Sequence, residues 1–227
     1  MQHELIARPA MTVAKLTLQA GETVTCEVGA MVAMNTGFQV ETTSQTRGGG
    51  GGIRKGLKRM FSGESFFLNH FTATQPNQML MIGPAMLGDV VSYPLTGGSL
   101  VVQGSSWMAS DTGVEIDTTW QGLGKALLSG ESIFWVKCSG TGDVLINSFG
   151  AIHEIEVNGE YVVDTGHIVA FEDTLQFSMG KAGSSWIGSF LGGEGLVCKF
   201  KGQGKLYCQS HNPPSFGKLL GPKLRPR

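Results

Sequence analysis

Three segments of this chain repeat the same order of motifs, and a chain that repeats itself on this scale is built from stacked copies of one small unit. The first segment carries Leu18-Gln-Ala-Gly-Glu, Gly29-Ala-Met-Val-Ala-Met and Ser62-Gly-Glu-Ser-Phe-Phe67. The second carries Leu95-Thr-Gly-Gly-Ser, Ser106-Trp-Met-Ala-Ser and Ser129-Gly-Glu-Ser-Ile-Phe134. The third carries Val157-Asn-Gly-Glu, His167-Ile-Val-Ala-Phe and Gly192-Gly-Glu-Gly-Leu-Val197. Spacing supports the alignment more strongly than identity does. From Gly21, Gly98 and Gly159 to the alanines Ala33, Ala109 and Ala170 the separations are 12, 11 and 11 residues. From those alanines to the Ser/Gly-Gly-Glu motif they are 29, 20 and 22, and the tract Gly48 to Gly52 accounts for the excess in the first copy.

Each copy reads as strands. Val13 to Leu18 alternates between apolar and polar, Asp143 to Asn147 is a short apolar run bounded by turn residues, and Asn158-Gly159 is a two-residue hairpin signal. The 34 glycines are about twice the usual share and predict many tight turns between short strands. Short helical patterns at 53–61, 122–128 and 184–191 separate the strands; at about two turns each they must dock on their own unit. The expected fold is all-β, with three tandem units at 1–87, 88–150 and 151–220 and a flexible basic tail at 221–227.

Composition limits the function. Charged residues are only 15% of the chain, against roughly 25% in an average globular domain, so part of the surface is expected to be covered by another subunit. A formal net charge of −1 supplies no field for nucleic acid, and no partner of that class is expected. The start has no apolar leader, and no run reaches the length of a membrane-spanning helix, so a cytoplasmic protein is expected. Cys26, Cys138, Cys198 and Cys208 lack metal-ligand spacing, and buried thiols are expected. Cys198 and Cys208 are symmetric about Gln203, and a hairpin turning at Gly202 to Gly204 would place them opposite one another.

The second-copy motifs, the Thr-Gly pairs after Met31-Val-Ala-Met and Met108-Ala-Ser-Asp, and Phe149-Gly-Ala-Ile-His-Glu-Ile resemble the bacterial branch of the altered-inheritance-of-mitochondria (type twenty-four) family. The resemblance covers roughly residues 5–220. It implies β-sandwich modules, short and double-stranded β-helix-like, similar in fold to the tryptophan RNA-binding attenuation protein. It also implies a homotrimer in which three chains close a ring of nine modules. No tryptophan- or RNA-binding motif carries over to this sequence.

No catalytic constellation, metal site or cofactor motif is expected. Gly63-Glu-Ser65-Phe-Phe lacks the second glycine of a nucleophile elbow and brings no histidine, so Glu64, Glu131 and Glu194 read as structural repeat residues. The five histidines (His3, His70, His153, His167, His211) are scattered. Gly48 to Gly56 lacks the Lys-Ser/Thr pair of a phosphate loop. The segment Ile53 to Phe61 puts Ile53, Leu57, Met60 and Phe61 on one helical face and Arg54, Lys55, Lys58 and Arg59 on the other. Those four basic residues are the candidate contact with an anionic or membrane surface. The expected function is a non-catalytic ring-like scaffold serving an unidentified protein partner. The alternative is a small-ligand binder using clefts between β modules.

Overall fold

The protein is described by a computed structural model covering residues 1–46, 65–118, 135–181 and 196–224. The strands are β1 (Gln2–Ile6), β2 (Val13–Leu18), β3 (Thr23–Glu27), β4 (Met31–Met34), β5 (Phe38–Thr46), β6 (Ser65–Ala73), β7 (Gln78–Ile82) and β8 (Val90–Gln103). They continue as β9 (Trp107–Asp111), β10 (Val114–Asp117), β11 (Trp135–Asn147), β12 (Ile152–Asp164), β13 (Ile168–Glu172), β14 (Gln176–Lys181) and β15 (Leu196–Gln209). One α-helix, α1 (Pro213–Leu220), closes the described chain.

All strand pairs are antiparallel. A four-stranded sheet has the order β1-β2-β7-β4. An eleven-stranded sheet runs β12-β15-β13-β8-β11-β9-β3-β6-β5, with β10 added on β11 and β14 on β15. The alternation in β2 places Ala14, Leu16 and Leu18 in the core, as a half-buried strand requires.

The hairpins read from Asn158-Gly159 and Gly202 to Gly204 are absent. β12 and β15 run straight through those glycines as one antiparallel pair, with Asn158 opposite Gln203 and Gly159 opposite Gly202. Gly97, Gly140, Gly142, Gly159 and Gly202 instead adopt positive φ inside long strands, where a Cβ would be strained. In the first segment the corresponding stretch breaks into two strands, β2 and β3, with Gly21 between them. Gly204 also makes room for its neighbours: a Cβ there would meet Thr174 Oγ1 at 2.5 Å. Cys198 and Cys208 therefore lie ten residues apart on one strand, about 33 Å at an extended rise, and do not face each other. All four cysteines are buried free thiols.

The interior forms three clusters of buried residues that run across the sequence segments. The first joins Leu16, Leu18 and Ile82 to Val90, Met108 and Leu145. The second joins Leu68 to Val136 and Val144, and both to Val169 and Tyr207. The third joins Val101 and Trp135 to Phe171, Phe200 and Leu206. Each full burial of such a side chain stabilises by roughly 1.5–3 kcal/mol.

The helical patterns at 53–61, 122–128 and 184–191 lie outside the described residues. The expected flexible tail at 221–227 follows the helix Pro213–Leu220, and its first residues, Gly221–Lys223, form a 3-10 turn. Asn212 caps the helix by accepting from the Ser215 N–H at 3.2 Å, and both prolines occupy the first turn, where no amide hydrogen is needed.

Candidate functional site

Two strand pairings join successive segments of the chain. β9 lies beside β3, with Val24 opposite Asp111, Thr25 opposite Ser110 and Cys26 opposite Ala109. β13 lies beside β8, with Leu100 opposite Glu172, Val101 opposite Phe171 and Val102 opposite Ala170. Side chains at these joints are closed off from solvent: Ile168, Val169 and Ala170 are 0% exposed, and so are Leu100, Val101 and Val102.

The short strands β4, β9 and β13 share a local device. Each is held on its inner side by β7, β11 or β15, and each register slips by one residue, at Met31/Ala33, Trp107/Ala109 and Ile168/Ala170. Such a bulge bends the strand and increases its local twist. β9 and β13 are paired along their outer edges by β3 and β8. β4 ends its sheet, and Met31, Val32 and Met34 are 44%, 59% and 39% exposed.

The opposite kind of edge is bare at one end of the larger sheet. Among the described residues β12 pairs only with β15 and ends that sheet. Tyr161 and Val162, opposite Phe200 and Lys199, are 42% and 54% exposed. Among the described residues β4 and β12 are thus two strands with an unpaired backbone edge, which a protein ordinarily blunts or covers. No charge marks the β4 edge in the sequence, because Met31-Val-Ala-Met is as apolar as its covered counterparts, whereas β12 carries Glu154, Glu156, Glu160 and Asp164.

Most polar side chains described in the interior are tied to partners. Asp89, 2% exposed, takes two hydrogen bonds from Arg8, at 3.0 Å from Nε and 2.8 Å from Nη2, and others from Thr12 Oγ1 and the Val90 N–H. Despite burial, these bonds and the guanidinium hold its carboxyl below the usual range. Tyr93 donates to Glu172 at 2.8 Å and Tyr207 to Glu154 at 2.9 Å, and the two rings meet edge-on at 6.0 Å. Burial first, and the neighbouring carboxylate second, push both phenols upward, so neither is a ready nucleophile. Burial pushes all four thiols up to about 12, which keeps them protonated and unreactive. The Glu27 carboxyl, one residue beyond the β3 joint, is raised to about 7 by burial.

A polar groove of about 480 Å³ lies between the first two segments, lined by Met1, Leu18, Glu22, Asp111, Thr141 and Gly142 among others. The Met1 ammonium is held there by Asp111 at 2.8 Å, with Asp143 at 3.7 Å. Among the described residues no group of three or more His, Cys, Asp or Glu is arranged to hold a metal ion, and no helix is long and apolar enough to cross a membrane. Arg54, Lys55, Lys58, Arg59, Glu64, Glu131 and Glu194 all lie outside the described residues. Sequence reasoning singled out the repeated motif that forms β4, β9 and β13 but missed that its outer edge is the joint. The signal available was the recurrence of Ala33, Ala109 and Ala170 at the centre of each short strand.

Residues 3–211 match the model of the family described as Mitochondrial biogenesis AIM24. An uncharacterised protein of Streptococcus pyogenes serotype M6 is 28% identical over 210 residues, covering 91% of this chain and 84% of that protein. The X-ray crystal structure of another Streptococcus pyogenes protein is similar with a TM-score of 0.77 and 26% identity, covering 98% of this chain and 99% of that one.

Proposed function

The chain belongs to the Mitochondrial biogenesis AIM24 family, and from that premise we propose that it is a non-catalytic scaffold whose copies join head to tail through β4 and β12 into a closed ring. The reading treats 13–82, 90–147 and 152–209 as three copies of one β-sandwich module. Supporting it, β3–β6, β8–β11 and β12–β15 are the same pairing in each stretch, as are β5–β6, β10–β11 and β14–β15. The slipped pairings of β4, β9 and β13 complete the correspondence.

One observation carries the proposal: the strand edge that closes each internal joint is bare once at each end of the series, one edge of each kind. A head-to-tail contact of this sort generates rings when its rotation closes. The homotrimer implied by the family resemblance is the closure that uses three chains of three modules. Transferring the internal register gives a specific pairing between copies: Ala33 opposite Val163, Met34 opposite Val162 and Asn35 opposite Tyr161 of the next chain.

Met34→Cys combined with Val162→Cys tests it. Oxidation should give a covalent ladder ending at the closed ring, while either single variant gives at most background, because the native thiols are buried and protonated. A parent that scatters light as a monomer, or a double variant that cross-links no better than the singles, rejects the ring.

The ring would present its surface to an unidentified partner, and Arg54, Lys55, Lys58 and Arg59 would give it a contact with an anionic surface. A second reading, small-ligand binding between modules, is favoured by the groove beside Met1 and Asp111. A stabilising metabolite in a thermal-shift screen, lost in Asp111→Asn, would support it.

A further inference from the structure

We propose that the end of the molecule capped by α1 is a docking surface for an anionic lipid membrane, distinct from the segment 53–61 and from the strand edges. The connecting segments gather at this end. The Thr12 N–H donates to Gly88 O at 3.0 Å, the Gly150 N–H donates to Leu87 O at 2.9 Å, and the His211 N–H donates to Phe149 O at 3.2 Å. The Phe149 ring then packs against Phe216 of α1, with centroids 5.3 Å apart.

These connections carry large apolar side chains that are exposed. Met11, Leu87 and Leu219 are 65%, 66% and 65% exposed, with Met86, Phe216 and Leu220 beside them in the same segments. Surface connections are ordinarily polar, and exposed apolar groups gathered on one face mark an interaction site. Within α1, Phe216, Leu219 and Leu220 fall at i, i+3 and i+4, and no residue of the helix is buried.

Charge selects the occupant. No Asp or Glu follows Glu194 in the sequence. Of the carboxylates at this end, Asp89 is closed by Arg8, and Asp164 accepts from the Gly166 N–H at 2.8 Å. Lys218 and Lys223 are exposed and form no ion pair among the described residues. Apolar side chains flanked by uncompensated lysines fit a lipid interface with anionic headgroups, where the side chains enter the acyl boundary and the ammonium groups stay at its surface. A second copy placed symmetrically on this face would set lysines against lysines. A helix of eight residues binds weakly alone, so the inference rests on the ring of the preceding section to multiply the contact.

The test is sedimentation of the full chain with vesicles of phosphatidylcholine alone or mixed with phosphatidylglycerol, with light scattering of each variant in parallel. Binding should require phosphatidylglycerol and weaken with salt. Lys218→Gln and Lys223→Gln should each lower affinity about fivefold. Leu219→Glu with Leu220→Glu should abolish binding, and Leu87→Glu should weaken it, all with unchanged particle size. The proposal is overturned if the parent ignores phosphatidylglycerol vesicles, if the α1 variants bind like the parent, or if binding is lost only when Arg54, Lys55, Lys58 and Arg59 are changed to Glu. A Leu219→Glu, Leu220→Glu protein that alters particle size also overturns it, since the face would then join copies. A monomeric parent that still binds vesicles removes the ring and leaves this surface standing.

Discussion

β13 and β4 are two strands of nearly the same apolar character, Ile168-Val-Ala-Phe and Met31-Val-Ala-Met, carrying the same one-residue slip against the strand that holds them. One lies sealed between neighbours and the other faces solvent along its whole length. The difference lies along the outer edge of each strand: β8 covers that of β13, and no described strand covers that of β4, so apolarity alone does not tell a sealed strand from an exposed one.

The sharpest way to break the comparison is to truncate the equivalent residue in each strand. Phe171→Ala removes a fully buried ring that touches Trp135, Phe177 and Phe200, and should cost about 3–5 kcal/mol in chemical denaturation. Met34→Ala should cost under about 1 kcal/mol in any dissociated chain while weakening association. Equal losses at the two positions would mean that β4 is already covered within the chain.

Asp89→Ala comes next, at about 1–3 kcal/mol, because it leaves the buried Thr12 hydroxyl and the Val90 N–H without their acceptor. The Asp89 carboxyl has a folded pKa below its unfolded value, so its contribution is complete above the unfolded pKa and is lost as pH falls through the folded one. Asp89→Asn should therefore flatten the acid side of the melting-temperature profile.

The effect at Glu27 has the opposite sign. Its folded pKa, about 7, stands above the unfolded 4.5, so stability falls between those values as the unfolded chain ionises first. Glu27→Gln should raise the melting temperature at neutral pH and lose that advantage below the unfolded pKa. A uniform shift at all pH values would place the effect elsewhere than in ionisation.

The β character of the chain was legible from alternation in β2 and from glycine content, since both report directly on local backbone geometry. The positions of Gly97, Gly159 and Gly202 were legible as special, but their role was not. Positive φ serves a tight turn and a bent strand equally well, and only the pairing of β12 with β15 along their full length separates the two. The helix α1 was hidden by its two prolines, which disrupt a helix interior but suit a first turn once Asn212 supplies the cap. The edges of β4 and β12 were illegible because periodicity records which face of a strand is apolar, whereas the neighbour along the hydrogen-bonding direction leaves no such pattern.

The clusters that run across the segments carry one more consequence. Val90, Met108 and Leu145 share an interior with Leu16 and Ile82, and Val101 and Trp135 share one with Phe200 and Leu206. Cutting the gene at 87 or 150 would strip each fragment of part of its own interior and expose a sticky flank. Evolution could lengthen or decorate such a polypeptide, but it could no longer take it apart into self-sufficient pieces.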